Sequence, residues 1–352
     1  MTDSASEIII PPTMTKRIKL SESEIEDRLG DLPETVILHI LSFLNAKQAV
    51  ETCVLSKRWK DLWKRLPKLI LCSDDYGTYK IFTEFVSKVL ALRDSSMALQ
   101  ALDFKPQNGR SHMVKRIINY AISHNVQQLG LYVNGHITEI PSKVFFCRTL
   151  THLKLSIYPG INRETMFPKS LNLPAITNLQ LEHFTFCVGD DDRAEPFSNF
   201  NRLSGCNASS LKHVDIDADL FSYPDDPPLF LFSWLLEFAN IKSLTVSAAT
   251  LQVLSLVPDL LNIKLPSLVN LKSLRVIIKP LGYGFRKRLC DVKLRKVKSK
   301  KKAARLRKAF EKGLEPSPLV PEGIVDFLLQ NSPSAEVDFI DKEMLARRAR
   351  SL

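Results

Sequence analysis

Apolar residues follow two different patterns along the chain, one near its start and one through most of the remainder. In residues 27–66 they recur every three or four positions, which predicts short helices. Pro33 stands where a helix start tolerates proline, Asn45 and Lys47 mark a break, and Ser56 can cap a third helix. About forty residues are too few to bury all these side chains among themselves, so we expect this segment to need a partner.

Beyond this segment the chain repeats the pattern L-x-x-L-x-L, with conservative replacements, at steps of 24 to 35 residues. Each unit alternates apolar and polar residues as a β-strand does, and it can bury its leucines only in a stack. The alternative is an α/β domain with chance matches, but seven matches at near-regular steps favour the stack. The longest step holds the acidic stretch 189–192, which we expect to be a surface insertion. The units are Leu99-Leu102-Phe104, Val126-Leu129-Leu131, Leu150-Leu153-Leu155, Ile176-Leu179-Leu181, Leu211-Val214-Ile216, Ile241-Leu244-Val246 and Leu271-Leu274-Val276.

The first segment also carries an ordered set of motifs. Leu-Pro at 32–33, an apolar helix, VLSKRW at 54–59 and Leu-Trp at 62–63 together resemble the F-box in its plant form. By that resemblance the segment docks the Skp-like adaptor of a cullin-based SCF ubiquitin ligase, and reaches the cullin through it. The alternative is that these are ordinary core residues of a helical domain. The positions that match the adaptor-facing ones of the motif are Leu32, Pro33, Ile37, Ile40, Leu41, Leu44, Val54, Leu55 and Trp59.

The C-terminal region predicts a helix over 322–330 and a closing strand over 337–340. Its sequence resembles the end of plant FBD-type F-box and leucine-rich repeat proteins, and a stack of repeats needs such a closing unit. The expected fold is therefore an α+β repeat protein, a three-helix F-box followed by an irregular leucine-rich repeat solenoid. The expected parts are a disordered tail (1–24), the F-box (25–70), the solenoid (71–281), a basic insertion (282–313) and an FBD-like capping unit (314–345).

Period-two counting places one set of polar side chains on the sheet face away from the leucines. In the expected solenoid this face is concave, and the face or the loops at its rim is the predicted place for a target protein. The alternative is a polar face that contacts only solvent. The candidate target-binding residues are His152, Lys154, Asn178, Gln180, His213, Asp215, Thr245 and Arg275.

Residues 286–312 hold fourteen Lys or Arg and two acids, a balance of +12 in a chain whose net charge is +11. The rest of the chain therefore sums to −1, so the positive charge is one patch, which argues against a general nucleic-acid-binding surface. Its apolar residues suggest a partly amphipathic helix. Three interpretations stay open: a solvated insertion, a nuclear-import signal supported by the basic residues 16–19, and contact with phosphate or nucleic acid, for which stacking aromatics are missing. The candidate import residues are Lys298, Lys300, Lys301, Lys302 and Arg305.

Motifs for catalysis and for metal binding were not found in the sequence. It has no G-x-S-x-G, no glycine-rich phosphate loop, no H-E-x-x-H and no cysteine pair at zinc spacing, so we expect no catalytic residue, metal or cofactor. The six scattered cysteines are expected to be reduced thiols, and nothing predicts a signal peptide or a membrane span. We therefore expect a non-catalytic substrate receptor of an SCF ubiquitin ligase in the nucleus or cytoplasm, without nucleic acid as a partner. The alternatives are a nuclear scaffold or nucleic-acid-associated protein acting through the basic segment, and an enzyme of unrecognised type.

Overall fold

The structure is a computed structural model and describes residues 31–107, 110–135, 140–159, 172–185, 208–220, 229–313 and 318–341. The predicted N-terminal tail, the basic residues 16–19 and the acidic stretch 189–192 lie outside these ranges. The helices are α1 (Glu34–Leu41), α2 (Ala46–Glu51), α3 (Tyr79–Leu92), α4 (Ser111–Ser123), α5 (Leu229–Glu237), α6 (Ala248–Leu254), α7 (Tyr283–Lys296), α8 (Lys300–Glu311) and α9 (Ile324–Leu329). The strands are β1 (Lys68–Cys72), β2 (Ala101–Lys105), β3 (Gln128–Gly135), β4 (His152–Pro159), β5 (Asn178–Thr185), β6 (His213–Asp219), β7 (Ser243–Ser247), β8 (Ser273–Ile278) and β9 (Glu336–Asp341).

The nine strands form one parallel sheet in which the order of the strands is their order along the chain. Since connections between parallel neighbours are right-handed, a sheet that always grows in one direction carries its connections on one face. We call the opposite face the open face, because none of the described helices between strands packs on it. All seven predicted units are strands of this sheet, β2 to β8. Their central apolar residues are in register and at most 2% exposed, and they are Leu102, Leu129, Leu153, Leu179, Val214, Leu244 and Leu274.

Two further strands flank the seven. Leu69 of β1 pairs with Leu102, although the predicted F-box boundary at residue 70 falls inside this strand. Leu66, Leu69 and Leu71 match the repeat pattern themselves, so the signal was present and was assigned to the F-box. At the other end, the predicted closing strand is confirmed as β9 and the predicted helix before it as α9.

The helical connections bury an apolar stripe against the sheet. Helix α3 begins at Thr78, whose hydroxyl accepts a hydrogen bond from the Ile81 amide, and buries Phe82, Val86 and Val89 at spacings of four and three residues. These side chains and the strand leucines belong to one apolar core that continues into the F-box segment. Each fully buried side chain of this kind contributes about 1.5–3 kcal/mol, so the stack supplies the burial that a single unit lacks.

The F-box segment contains two α-helices in the structure, and the predicted third helix is wrong. The chain makes successive three-residue turns from Ser56 and then a 3₁₀ helix, Leu62–Arg65. Pro67 directs the preceding Leu66 to an extended conformation (ψ 131°) and so ends this segment at Arg65. The second helix has a full capping box between Asn45 and Gln48.

The predicted basic insertion divides into two different helices. Helix α7 buries Phe285, Leu289 and Val292 in the same core as the strands, at spacings of four and three residues. Helix α8, in contrast, has no buried residue. The high charge of the segment concealed this apolar face, so α7 is part of the framework and α8 alone lies outside it.

Candidate interaction surfaces

The F-box segment exposes five large apolar side chains. Val36, Ile40 and Phe43 are spaced four and three residues apart on α1 and the turn after it, and Val54 and Leu55 end the next helical segment. The exposed fractions of Val54, Phe43 and Leu55 are 80%, 73% and 61%. We call these five residues the apolar F-box surface. Val54, Phe43 and Leu55 are far more exposed than aliphatic and aromatic side chains usually are, and with Val36 and Ile40 beside them they form a cluster that is typical of a protein-binding surface.

Hydrogen bonds and ion pairs fix the elements that carry this surface. The Pro33 carbonyl accepts from the amides of Val36 and Ile37, at 2.9 and 3.1 Å, and so starts α1. The Arg58 guanidinium donates to the Leu32 carbonyl, and Arg65 pairs with Glu34 across the segment. The surface is therefore preorganised, which reduces the entropy lost on docking.

The structure divides the nine predicted adaptor-facing residues into three groups. Pro33, Ile40, Val54 and Leu55 are exposed, and Leu32 and Leu44 are half-buried. The other three are core residues of the chain itself, which corrects the prediction that they face a partner: Ile37, Leu41 and Trp59. Periodicity identified the apolar stripe of α1 but could not tell which edge the chain would cover with its own residues. The stripe also contains Phe43, which continues the spacing from Ile40 but was not among the nine predicted residues.

The open face of the sheet is polar and contains a depression. Two rows of paired residues cross this face, one on each side of the central leucines. In the second row, which runs from Asp103 on β2 to Arg275 on β8, every strand presents a side chain except β3, which has Gly130. With Ala101 on the neighbouring strand, Gly130 forms the floor of a depression of about 200 Å³. Its walls include Asp103, Gln128 and Lys154. A Cβ atom at position 130 would lie 2.2 Å from the Asp103 Oδ1 atom, so a larger residue here would displace this carboxylate from its present position.

Charged groups on this face are largely paired with one another. Lys154 Nζ lies 3.3 Å from the Glu182 carboxylate, and the Gln180 amide donates to Asp215 at 2.6 Å. Burial lowers the pKa of Lys154, but Glu182, Tyr132 and Asp215 together outweigh it, and the net effect is a raised pKa. The Tyr132 ring lies 5.1 Å from the Lys154 ammonium, and burial raises the pKa of its hydroxyl. These groups satisfy each other before any ligand arrives.

A bulge interrupts the ladder where β5 passes β6, between Glu182 and Phe184. The residue inside it, His183, has φ of +65°, and its ring lies against that of Tyr158, tilted by 38° with the centroids 3.8 Å apart. Burial lowers the pKa of His183, so the ring is held neutral at physiological pH. Nearby, Asp217 pairs with Lys279, which follows β8. Bulges and left-handed residues of this kind concentrate at functional sites.

All eight predicted target-binding residues lie on strands β4 to β8, and each is followed by a buried residue. His152, Lys154, Asn178 and Gln180 come together around the depression. The others continue the same two register rows along the sheet: His213, Asp215, Thr245 and Arg275. Sequence reasoning missed the residues on the N-terminal side of the depression, which are Lys68, Asp103, Gln128 and Gly130. The available signal was a glycine inside a strand pattern.

The candidate import residues lie in the turn before α8 and in α8 itself, and their side chains are exposed. Among the residues that the structure describes, no three His, Cys, Asp or Glu side chains are grouped as metal ligands would be. The four cysteines in the described ranges, Cys53, Cys72, Cys147 and Cys290, are free thiols. Within the same ranges no helix combines the length and hydrophobicity that a membrane span requires.

Comparison with known proteins shows that the apolar F-box surface lies in a segment that matches a known domain family. The F-box domain model matches residues 29–71, which contain the whole apolar F-box surface. An Arabidopsis thaliana protein that carries the name F-box/FBD/LRR-repeat protein is 31% identical over 235 residues, 65% of this chain and 47% of its own length. An FBD-associated F-box protein is 35% identical over 51% of this chain and 41% of its own length, and an F-box/LRR-repeat protein 32% identical over 47% and 36%, both from the same plant.

The chain thus spans less than half the length of these relatives. Motifs, family model and relatives nevertheless agree, because the F-box motif lies inside the matched range and the relatives carry the FBD and leucine-rich repeat names that its later segments resemble. The resemblance predicted from the sequence is confirmed: residues 29–71 match an F-box domain, and the chain is similar to plant F-box proteins of the FBD and leucine-rich repeat type.

Proposed function

We propose that this protein is the substrate-recognition subunit of an SCF-type ubiquitin ligase. The observation that carries the proposal is the apolar F-box surface, which is exposed and preorganised inside the segment matched by the F-box model. F-boxes generally bind Skp-like adaptors, and the adaptor would link the chain to a cullin. Burying such side chains contributes about 1–2 kcal/mol each, so five of them can hold a protein partner.

The remainder of the chain has the features of a leucine-rich repeat solenoid that holds the target. The sheet grows strand by strand along the chain, and its central leucines are in register, as a solenoid requires. We place the F-box in residues 25–70, the solenoid in 71–281 and the FBD-like cap in 314–345, with β1 shared between the first two. The open face, with its depression at Gly130, is the proposed target-binding surface.

A receptor of this kind needs no catalytic residue of its own. It binds adaptor and target at different places, which turns ubiquitin transfer to the target into an effectively intramolecular reaction, with local concentrations of about millimolar. The proposed contribution is proximity. We therefore propose a non-catalytic role.

The adaptor assignment is tested by placing charges on the apolar F-box surface. Val54→Asp with Leu55→Asp should abolish capture of a Skp-like adaptor, because a carboxylate on each side chain cannot be buried without a counter-charge. Val269→Asp with Leu261→Asp is the matched control, since these side chains are 52% and 57% exposed elsewhere. Capture by both double variants would refute the assignment, and thermal unfolding of each confirms that the fold is intact.

The location of the protein in the cell is proposed to be the nucleus, the cytoplasm or both. The exposed lysines at the start of α8 are the candidate import signal. A fluorescent fusion with Lys300→Gln, Lys301→Gln and Lys302→Gln should move from the nucleus to the cytoplasm. An unchanged distribution would remove these residues from the import proposal.

A further inference from the structure

The basic helices α7 and α8 use their cations in different ways. On α7, Arg288 pairs with Asp219 at 2.6 Å, and the Lys296 ammonium donates to the Leu256 carbonyl at 2.7 Å. Lys293 Nζ also lies 3.3 Å from the Gln252 side-chain oxygen. These side chains fasten α7 to the sheet and its connections, and they are therefore structural.

Helix α8 carries its cations away from the rest of the molecule. Its less exposed side holds Leu306 and Phe310, and the Phe310 ring lies 5.7 Å from that of Tyr283 at the start of α7. On the opposite side four exposed cations are spaced four, three and four residues apart, which aligns them in a single stripe about 16 Å long. We call them the α8 stripe: Lys301, Arg305, Lys308 and Lys312.

Within the part of the chain that the structure describes, no carboxylate lies within ion-pair distance of these four side chains. Like charges at these spacings repel each other and oppose helix formation. Lys300, Lys301 and Lys302 add to the cost because they occupy the first turn, at the positive end of the helix dipole. Helix α8 has neither a buried residue nor a side-chain N-cap to offset this repulsion, so a bound anionic partner would stabilise it.

We propose that the α8 stripe docks an acidic segment of a protein partner. Carboxylates of such a segment neutralise the stripe and relieve the repulsion within α8. The stripe has no aromatic side chain to stack on bases and no amide to read them, and four phosphate contacts alone give weak, strongly salt-dependent binding to nucleic acid. The chemistry therefore favours an acidic protein over a nucleic acid.

This interaction surface is separate from the apolar F-box surface and does not depend on the proposed ligase function. The test uses the full chain and a fluorescent glutamate-rich peptide, with binding followed by anisotropy over a range of salt concentrations. The stripe variant is Lys301→Gln, Arg305→Gln and Lys308→Gln. The control variant, Lys80→Gln, Lys115→Gln and Arg148→Gln, removes the same charge from exposed positions elsewhere.

We expect the peptide to bind the wild type and the control with similar affinity, and the stripe variant to bind at least about tenfold more weakly. Binding should weaken steeply as salt rises. Circular dichroism should show that the helix content of the stripe variant is retained. Equal weakening in both variants, or no binding by the wild type, would overturn the proposal. Tighter binding of a DNA duplex of equal charge through the same residues would also overturn it, in favour of a nucleic acid.

Discussion

The apolar F-box surface and the open face of the sheet are both accessible, yet they differ in what they leave unsatisfied. Side chains such as Phe43 and Val54 have no apolar neighbour of their own that covers them. On the open face, Lys154 and Gln180 already have partners in Glu182 and Asp215. The first surface gains free energy when any complementary apolar partner covers it. The second must exchange existing contacts for new ones, so its binding depends more on an exact match and selects partners.

The largest expected effect separates the buried apolar residues of the F-box segment from its exposed ones. Trp59→Ala should reduce the free energy of unfolding by about 3–5 kcal/mol, because it leaves a cavity beneath the surface. Denaturant unfolding measures the loss. Adaptor capture should then fail together with the fold, whereas the Val54 and Leu55 double variant should fail to capture and stay folded. A fully stable Trp59→Ala variant would contradict the burial of this side chain.

The depression on the open face offers a test of equal sharpness. Gly130→Ala should destabilise the protein by about 1 kcal/mol, because its Cβ atom forces the Asp103 carboxylate to move aside. Asp103→Ala in the same chain should remove most of this loss. A double-mutant cycle by denaturant unfolding gives the coupling between the two positions. Additive effects would show that the carboxylate does not occupy the space above the glycine.

The third prediction concerns how much the exposed side chain of Phe43 contributes to adaptor binding. Phe43→Ala should weaken adaptor binding by about 1–2 kcal/mol, or roughly tenfold, with little change in unfolding free energy. Phe146→Ala, at a side chain that is 49% exposed on another part of the molecule, is the matched control. Calorimetric titration with the adaptor measures both. Equal affinities for the two variants would exclude Phe43 from the interface.

The smallest effect concerns the bulge on the open face. Because burial lowers the pKa of His183, the unfolded chain takes up a proton near pH 6.5 that the folded protein refuses. Stability should therefore fall as the pH drops below about 6.5 and level off below the folded pKa. His183→Asn, which tolerates the left-handed backbone, should flatten this slope in unfolding measurements between pH 7.5 and 5.5. An equal change in the exposed-site variant His213→Asn would contradict the assignment.

The repeat strands could be predicted because their signal is local. A strand with one buried face alternates with period two, and seven such units at similar steps define one sheet, as Leu153 and Leu179 illustrate. The strand β1 was missed only because its leucines directly follow the F-box motif. The end of the third F-box segment also has a local cause, since Pro67 forces Leu66 out of the helical conformation, but the pattern of apolar residues did not reveal that the segment winds as three-residue turns.

The surfaces were harder to predict because exposure depends on which element covers which. The stripe of α1 contains both Ile37, fully buried, and Phe43, mostly exposed, and no periodicity separates an edge covered by the chain from one left open. Helix α7 shows the same limit, since its abundant charge hid the apolar face that docks on the sheet. The depression could be predicted only from the register in which β2, β3 and β4 pair, and the sequence of a single strand does not contain that information.

A sheet whose strands follow the chain also sets a length scale. Neighbouring strands are about 4.8 Å apart, so eight intervals from β1 to β9 amount to about 38 Å along the array. The F-box adjoins the first strand, and α7 and α8 connect the last two. The surfaces carried by the two ends of the array are therefore separated by about this distance.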